Sequence, residues 1–236
     1  MITNELSEFK GIYIAPEAAI YLNATLKRDV PKLQKIQAIR SRSLIRWIRI
    51  GLTSPELSVV PGKDLLIGFE DLISMRVIAI LRALGVSWVK IHRAERWLRE
   101  RTGYVRPFAI ERVWTETTDV FADFHEGFIA ASRGGQLAFT EILEQYLTSV
   151  QDTIFVPYDG VKVADSWTPH EDILINPRIQ FGEPCIKGTR IRTRVMSELL
   201  SGGDTIPYVM RSFSLTEQQI THVIEWEKRL ELARQN

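Results

Sequence analysis

Within residues 119–126, Asp119, Asp123, His125 and Glu126 are of the types that hold a divalent ion. On a strand, Asp119, Phe121, Asp123 and His125 would share one face, so carboxylates and an imidazole would converge. The plainer reading is the solvated face of an edge strand, where acids are ordinary, and it is preferred. His92, His125, His170 and His222 stand far apart, without an HExxH or Cys-His spacing. Cys185, the one cysteine, cannot form an internal disulfide or build a zinc site alone. Between Pro184 and Ile186 it suits packing better than nucleophilic attack. GxSxG, P-loop and GxGxxG motifs are absent. No catalytic residue, metal ligand or cofactor is therefore expected.

Arginine chemistry is more prominent. Residues 26–50 carry eight Lys or Arg (Lys27, Arg28, Lys32, Lys35, Arg40, Arg42, Arg46, Arg49) against one acid, Asp29. Such a local excess attracts polyanions. The spacing predicts a helix over 41–50, capped by Ser41 or Ser43 and stopped by Gly51. Arg42, Arg46 and Arg49 recur at steps of four and three and share one face. Leu44, Ile45, Ile48 and Leu52 form the apolar stripe. Guanidinium groups fork onto guanine edges or phosphates, and Ser43 with the helix N-terminus can reach phosphate. The expected DNA-contacting residues are Arg40, Arg42, Ser43, Arg46, Trp47 and Arg49, with Trp47 half buried. The alternative is a solvated amphipathic helix. The missing acids, the helix before it and the hairpin after it favour DNA, because that order is a winged helix-turn-helix.

Other elements position this helix. Pro16 opens an earlier one that places Ala18, Ala19 and Leu22 on one face. The spacer from Leu22 to Ser41 is longer than the usual turn of such motifs. Leu57–Val60 and Leu65–Gly68 flank Pro61-Gly62 as a hairpin. Two periodic helices follow, from Phe69 to Leu84 and from a Ser87 cap to about Arg101. Between 107 and 163 the period shifts toward two. Strands are expected at Ile110–Trp114 and Thr118–Phe124, a helix at Ala138–Thr148, and a hairpin around Asp159-Gly160. Residues 166–172 look like a linker. Short strands near Ile173–Ile175 and Cys185–Ile191 precede three helices, at about Thr193–Leu200, Thr205–Ser212 and Thr216–Arg234. Thr216 and Gln219 have capping-box spacing.

The chain has 236 residues, 45% hydrophobic and 25% charged, which excludes disordered and fibrous classes. No apolar run of about 18 residues spans a membrane. The N-terminus lacks a basic-then-apolar export signal, and cysteine usage fits a reducing cytoplasm. The net charge of +1 conceals +7 over residues 1–105, −9 over 107–172 and +2 over 173–236. That asymmetry implies partners of more than one kind, one of them polyanionic.

Residues 11–108 resemble a MerR-like winged helix-turn-helix module, carried by IAPEAAIYL (14–22), SLIRWIR (43–49) and the segment 65–109. Residues 173–230 resemble a small helix-turn-helix domain of unknown function whose family is assigned as antitoxins. Its pattern N-P-x-I-x-F-G-x-P-x-I-x-G-T-R-I is carried by Asn176, Pro177, Ile179, Phe181, Gly182, Pro184, Ile186, Gly188, Thr189, Arg190 and Ile191. In this order the two resemble VapB-type antitoxins, which implies a PIN-domain ribonuclease toxin as partner.

The expected fold is α+β and mainly helical, with two helix-turn-helix modules joined by a strand-rich acidic segment. The units are a DNA-binding module over 1–106, a connecting segment over 107–168 and an antitoxin domain over 169–236. Lys187, Arg190, Arg192 and Arg194 form a basic strip for phosphates or for the acidic cleft that the resemblance implies on the toxin. The alternative is a buried turn with solvated arginines. Glu217 at the tip of the last helix is a poor DNA probe, so the second module is expected to contact protein. The expected function is a non-catalytic cytoplasmic antitoxin that inhibits its toxin, binds operator DNA and acts as a homodimer within a toxin–antitoxin assembly. A MerR-like regulator without a toxin partner is the first alternative. An enzyme built on Asp119, Asp123 and His125 is the second.

Overall fold

The computed structural model describes residues 11–29, 37–53, 66–83, 85–111 and 152–235. The 57–60 arm of the expected hairpin, the strands expected beyond 111, the helix expected over 138–148 and the Asp119, Asp123, His125, Glu126 group lie outside the described residues.

Strand β1 (Tyr13–Ile14) leads into α1 (Ala15–Asp29), where Pro16 sits in the first turn and its missing N–H leaves no gap. Helix α2 (Ser41–Arg49) follows. Strand β2 (Leu66–Ile67) pairs antiparallel with β1, Tyr13 facing Ile67. Thus the run expected to close a local hairpin finds its described partner some fifty residues upstream.

Helix α3 (Phe69–Ala83) is buried continuously from Asp71 to Ile80. Its periodic apolar residues are inside, and so are Asp71, Ser74 and Arg76. A helix buried on all sides is central. Its charges are buried only because partners meet them. Arg106 Nε donates to Asp71 at 3.1 Å. Arg76 donates to Asp29 at 2.8 and 3.0 Å and to Asp152 at 2.8 Å. Helix α4 (Trp88–Thr102) ends at Gly103.

Four antiparallel strands follow in sequential order: β3 (Thr153–Tyr158), β4 (Val161–His170), β5 (Ile173–Ile175) and β6 (Cys185–Ile186). Asp159 and Gly160 take φ of 43° and 79°, as a two-residue hairpin requires. The linker expected over 166–172 is corrected. Residues 166–170 continue β4, and Trp167 is 0% exposed. Its Nε1 donates to Asp152 at 3.1 Å. Pro169 had suggested a break. It falls where the register shifts between Trp167 and His170, so no ladder bond is lost. The unit boundary expected at 168/169 therefore falls inside a strand.

Helices α5 (Thr193–Ser201), α6 (Ile206–Phe213) and α7 (Glu217–Arg234) complete the described chain, with the Thr216–Gln219 capping box formed. Helix α7 packs on α1, its Trp226 ring lying 6.5 Å from that of Tyr21. One hydrophobic cluster runs from Tyr13 to Leu230, so the first and last helices share a core. Among the described residues the fold is α+β and mainly helical.

Candidate nucleic-acid interface

Helix α2 has nine residues and two faces. Leu44 and Trp47 are buried, while Arg42, Arg46 and Arg49 are exposed, as is Arg40 just before the helix. Among the described residues none of these four arginines has an ion-pair partner. Their charge is therefore available to an external polyanion. Ser43 is half-buried at the exposed first turn. The serine cap is not formed. Arg40 occupies the N-cap with no side-chain hydrogen bond, and its carbonyl accepts from the Ser43 N–H at 2.8 Å.

Two contacts fix the helix. On α1, the Asn23 side-chain amide donates to the Ile39 carbonyl at 2.8 Å and accepts from the Ile39 N–H at 2.8 Å. This reciprocal pair anchors the entry to α2 despite the long spacer. Behind the helix, Trp47 lies 5.7 Å from Trp88 at the start of α4. Trp47 is thus corrected as a DNA-contacting residue. It is 5% exposed, because its ring fills the space between α2 and α4. It holds the arginine face from behind.

The C-terminal basic strip divides. Lys187 and Arg190 are exposed. Arg192 instead donates to the Gln180 side-chain oxygen at 3.1 and 2.8 Å and lies 3.4 Å from Glu183. It is an internal clamp. Arg194 lies on α5 beside Glu198 at 3.7 Å. Glu217 is exposed at the tip of α7. Cys185 is buried, and burial pushes its thiol up to about 11, where it is a poor nucleophile.

Three groupings escape the sequence. Arg76 joins α1, α3, β3 and β4 through Asp29, Asp152 and Thr153, its guanidinium 4.8 Å above the Trp167 ring. Burial alone would favour losing its proton, but Asp29 and Asp152 outweigh it and raise its pKa. His170 and His222, distant in sequence, have ring centroids 5.5 Å apart. His222 pairs with Asp172 at 2.8 Å and His170 with Glu225 at 3.2 Å. Burial lowers the His170 pKa. No spacing rule finds such a pair. Among the described residues, no group of three His, Cys, Asp or Glu is arranged to hold a metal ion. Third, a cavity of about 220 Å³ opens between α1, α5 and α7, lined among others by Glu17, Tyr21, Arg194, Glu227 and Arg234. Burial raises the pKa of both Glu17 and Glu227.

A family model described as a protein of unknown function, DUF433, matches residues 173–226, under a quarter of the chain. No curated protein matches the sequence. The crystal structure of Rv2018 from Mycobacterium tuberculosis is similar, with a TM-score of 0.67 over 90% of this chain and 96% of that one. At 18% identity the likeness is one of fold. Among the described residues no helix is long and apolar enough to cross a membrane.

Proposed function

We propose that this protein is the antitoxin of a toxin–antitoxin pair. It binds operator DNA through α2, represses its own operon, and binds and blocks a PIN-domain ribonuclease. It works in the cytoplasm as a homodimer and catalyses no reaction. The observation that carries the reading is the α2 surface. Arg42, Arg46 and Arg49 point outward together, without described counter-charges, on a helix fixed by Asn23 and Trp47. A short helix with a one-sided arginine face matches the dimensions of a major groove.

The toxin-binding half rests on the resemblance of residues 173–230, with Lys187 and Arg190 as its outward charges. Stable inhibition would bury roughly 1,500 Å² or more. The acidic stretch 107–172 suits the basic RNA-binding surface of a nuclease. Removing residues 173–236 is a poor test of this half, because Trp226 belongs to the shared core. Surface substitutions serve better.

The test is co-expression of the full chain with the product of the neighbouring reading frame, followed by co-purification and a growth assay. Binding to the promoter fragment is measured in parallel. Co-purification, rescued growth and promoter binding are expected. A chain that ignores its promoter and leaves the neighbour toxic overturns the reading.

A regulator without a toxin partner is the second reading, and the cavity between α1, α5 and α7 favours it. It lies where the first and last helices meet, so a small molecule there would act on their packing. A small molecule retained through purification, with no toxin rescue, would select it.

A further inference from the structure

Among the described residues the buried acids are Asp29, Asp71, Glu95, Asp165 and Glu227. Four of them meet a guanidinium: Asp29 that of Arg76, Asp71 that of Arg106, Glu95 that of Arg99 and Asp165 that of Arg178. Glu227 is the exception. It is 8% exposed, yet its described partner is neutral, the Thr193 hydroxyl, which donates at 2.6 Å. Burial raises its pKa, and the Thr193 bond and the more distant Arg234 and Arg194 oppose without cancelling. A buried carboxylate normally has a counter-charge, so this one is left short of a cation.

Glu227 opens onto the cavity of about 220 Å³ between α1, α5 and α7. On α7, Glu227, Leu230 and Arg234 recur at steps of three and four, so one face of the helix lines it. On α1, Glu17 and Tyr21 do the same. Glu17 repeats the pattern of Glu227: it accepts from a neutral donor, the Tyr21 hydroxyl, at 2.8 Å and has no ion pair among the described residues. Ile20, Pro184 and Leu230 add apolar wall. A dry cavity of roughly 150 Å³ already admits a benzene ring, so a molecule of that size or somewhat larger fits here.

The lining selects the chemistry. Two carboxylates met by hydroxyl groups call for a cation with several N–H donors, which an ammonium has. The apolar wall calls for a hydrocarbon body beside it. A bare metal ion would leave that wall unused, and no metal-holding group of three occurs among the described residues. We propose that this cavity binds a small primary amine as its ammonium ion, held by Glu227 and Glu17, with its short apolar body against Ile20, Pro184 and Leu230. Its consequence rests on the regulator reading, in which a small molecule here acts on the packing of the first and last helices.

Calorimetric titration of the full chain with benzylammonium and butylammonium chloride tests the site. Saturable binding and a raised melting temperature are expected. Benzyl alcohol and butanol, which lack the charge, bind at least about tenfold more weakly. Benzyltrimethylammonium, which keeps the charge and has no N–H donor, is also weaker. Glu227→Gln keeps an oxygen for Thr193 and removes the unpaired charge. Its melting temperature holds or rises while affinity for the amines falls at least about tenfold. Glu17→Gln weakens the amines in the same direction and serves if Glu227→Gln fails to fold. A wild type without saturable amine binding overturns the proposal. So do alcohols that bind as tightly as the amines, or undiminished amine binding in a folded Gln variant. Amine binding that leaves promoter binding unchanged defeats the regulator reading alone.

Discussion

The hydroxyl of Tyr13 donates to the carbonyl oxygen of Gly182 at 3.1 Å, across 169 positions of sequence. The bond ties the strand that precedes α1 to the signature turn of the C-terminal segment. A Cβ added at Gly182 would lie 2.1 Å from that hydroxyl oxygen and 2.8 Å from the ring carbon bearing it. Gly182→Ala should therefore cost more than about 2 kcal/mol, from the clash and the left-handed φ together. Tyr13→Phe removes one hydrogen bond, worth about 1 kcal/mol. The double variant should be more stable than the two costs summed, by roughly 0.5 kcal/mol or more. Urea unfolding of the four proteins checks this; strict additivity would remove the clash as the cause.

Arg76 is predicted to be the most sensitive charge in the described chain. Its partner Asp29 is buried, with a side chain 1% exposed. Arg76→Met leaves that carboxylate without its main counter-charge and should cost about 3–5 kcal/mol. Combining it with Asp29→Asn should recover a large part of the loss. Chemical denaturation gives both numbers, and a loss below about 1 kcal/mol for Arg76→Met would contradict the placement.

Stability should respond to pH through Asp71. Burial pushes its carboxyl up to about 6, with Arg106 opposing, from an ordinary 3.8. A carboxyl with a raised folded pKa favours the protonated form, so its stabilising contribution is complete below the unfolded pKa. It is lost as pH climbs from about 4 to about 6, by up to about 3 kcal/mol. Asp71→Asn cannot titrate. The stability difference between wild type and this variant should therefore shift against the wild type as pH rises through that window. Thermal melts at stepped pH read it, and a difference independent of pH would defeat the assignment.

Arg42→Ala with Arg46→Ala should weaken promoter binding and reduce its salt slope by roughly 1 for each phosphate no longer neutralised. Both side chains are exposed, so the melting temperature should hold. Trp47→Ala should behave in the opposite way, losing about 3–5 kcal/mol of stability because it empties the space against Trp88. Binding isotherms at several salt concentrations, alongside thermal melts, separate the two. An unchanged slope in the double arginine variant would exclude α2 as the contacting helix.

Helices α1 to α7 are all legible in the sequence, because apolar residues spaced three and four apart need no partner to be recognised. The arginine face of α2 is legible for the same reason, since its geometry is internal to one helix. The Asp159-Gly160 hairpin and the Thr216–Gln219 capping box are equally local. Trp47 is misjudged because a tryptophan on a charged helix suits either a ligand or a core, and only the arrival of Trp88 decides. The run 166–170 is misjudged because Pro169 and nearby polar residues imitate a linker, while Trp167 is drawn inward by Asp152.

Local pattern thus determined the helices, the tight turns and the segregation of charge, all of which depend on residues within a few positions of one another. Tertiary structure alone decided that Arg76 gathers Asp29 and Asp152, that His170 meets His222, and that Tyr13 clamps Gly182. Those pairings join residues tens to more than a hundred positions apart. What forms them is burial, which leaves each polar group to find a partner among whatever the packed helices and sheet bring within reach.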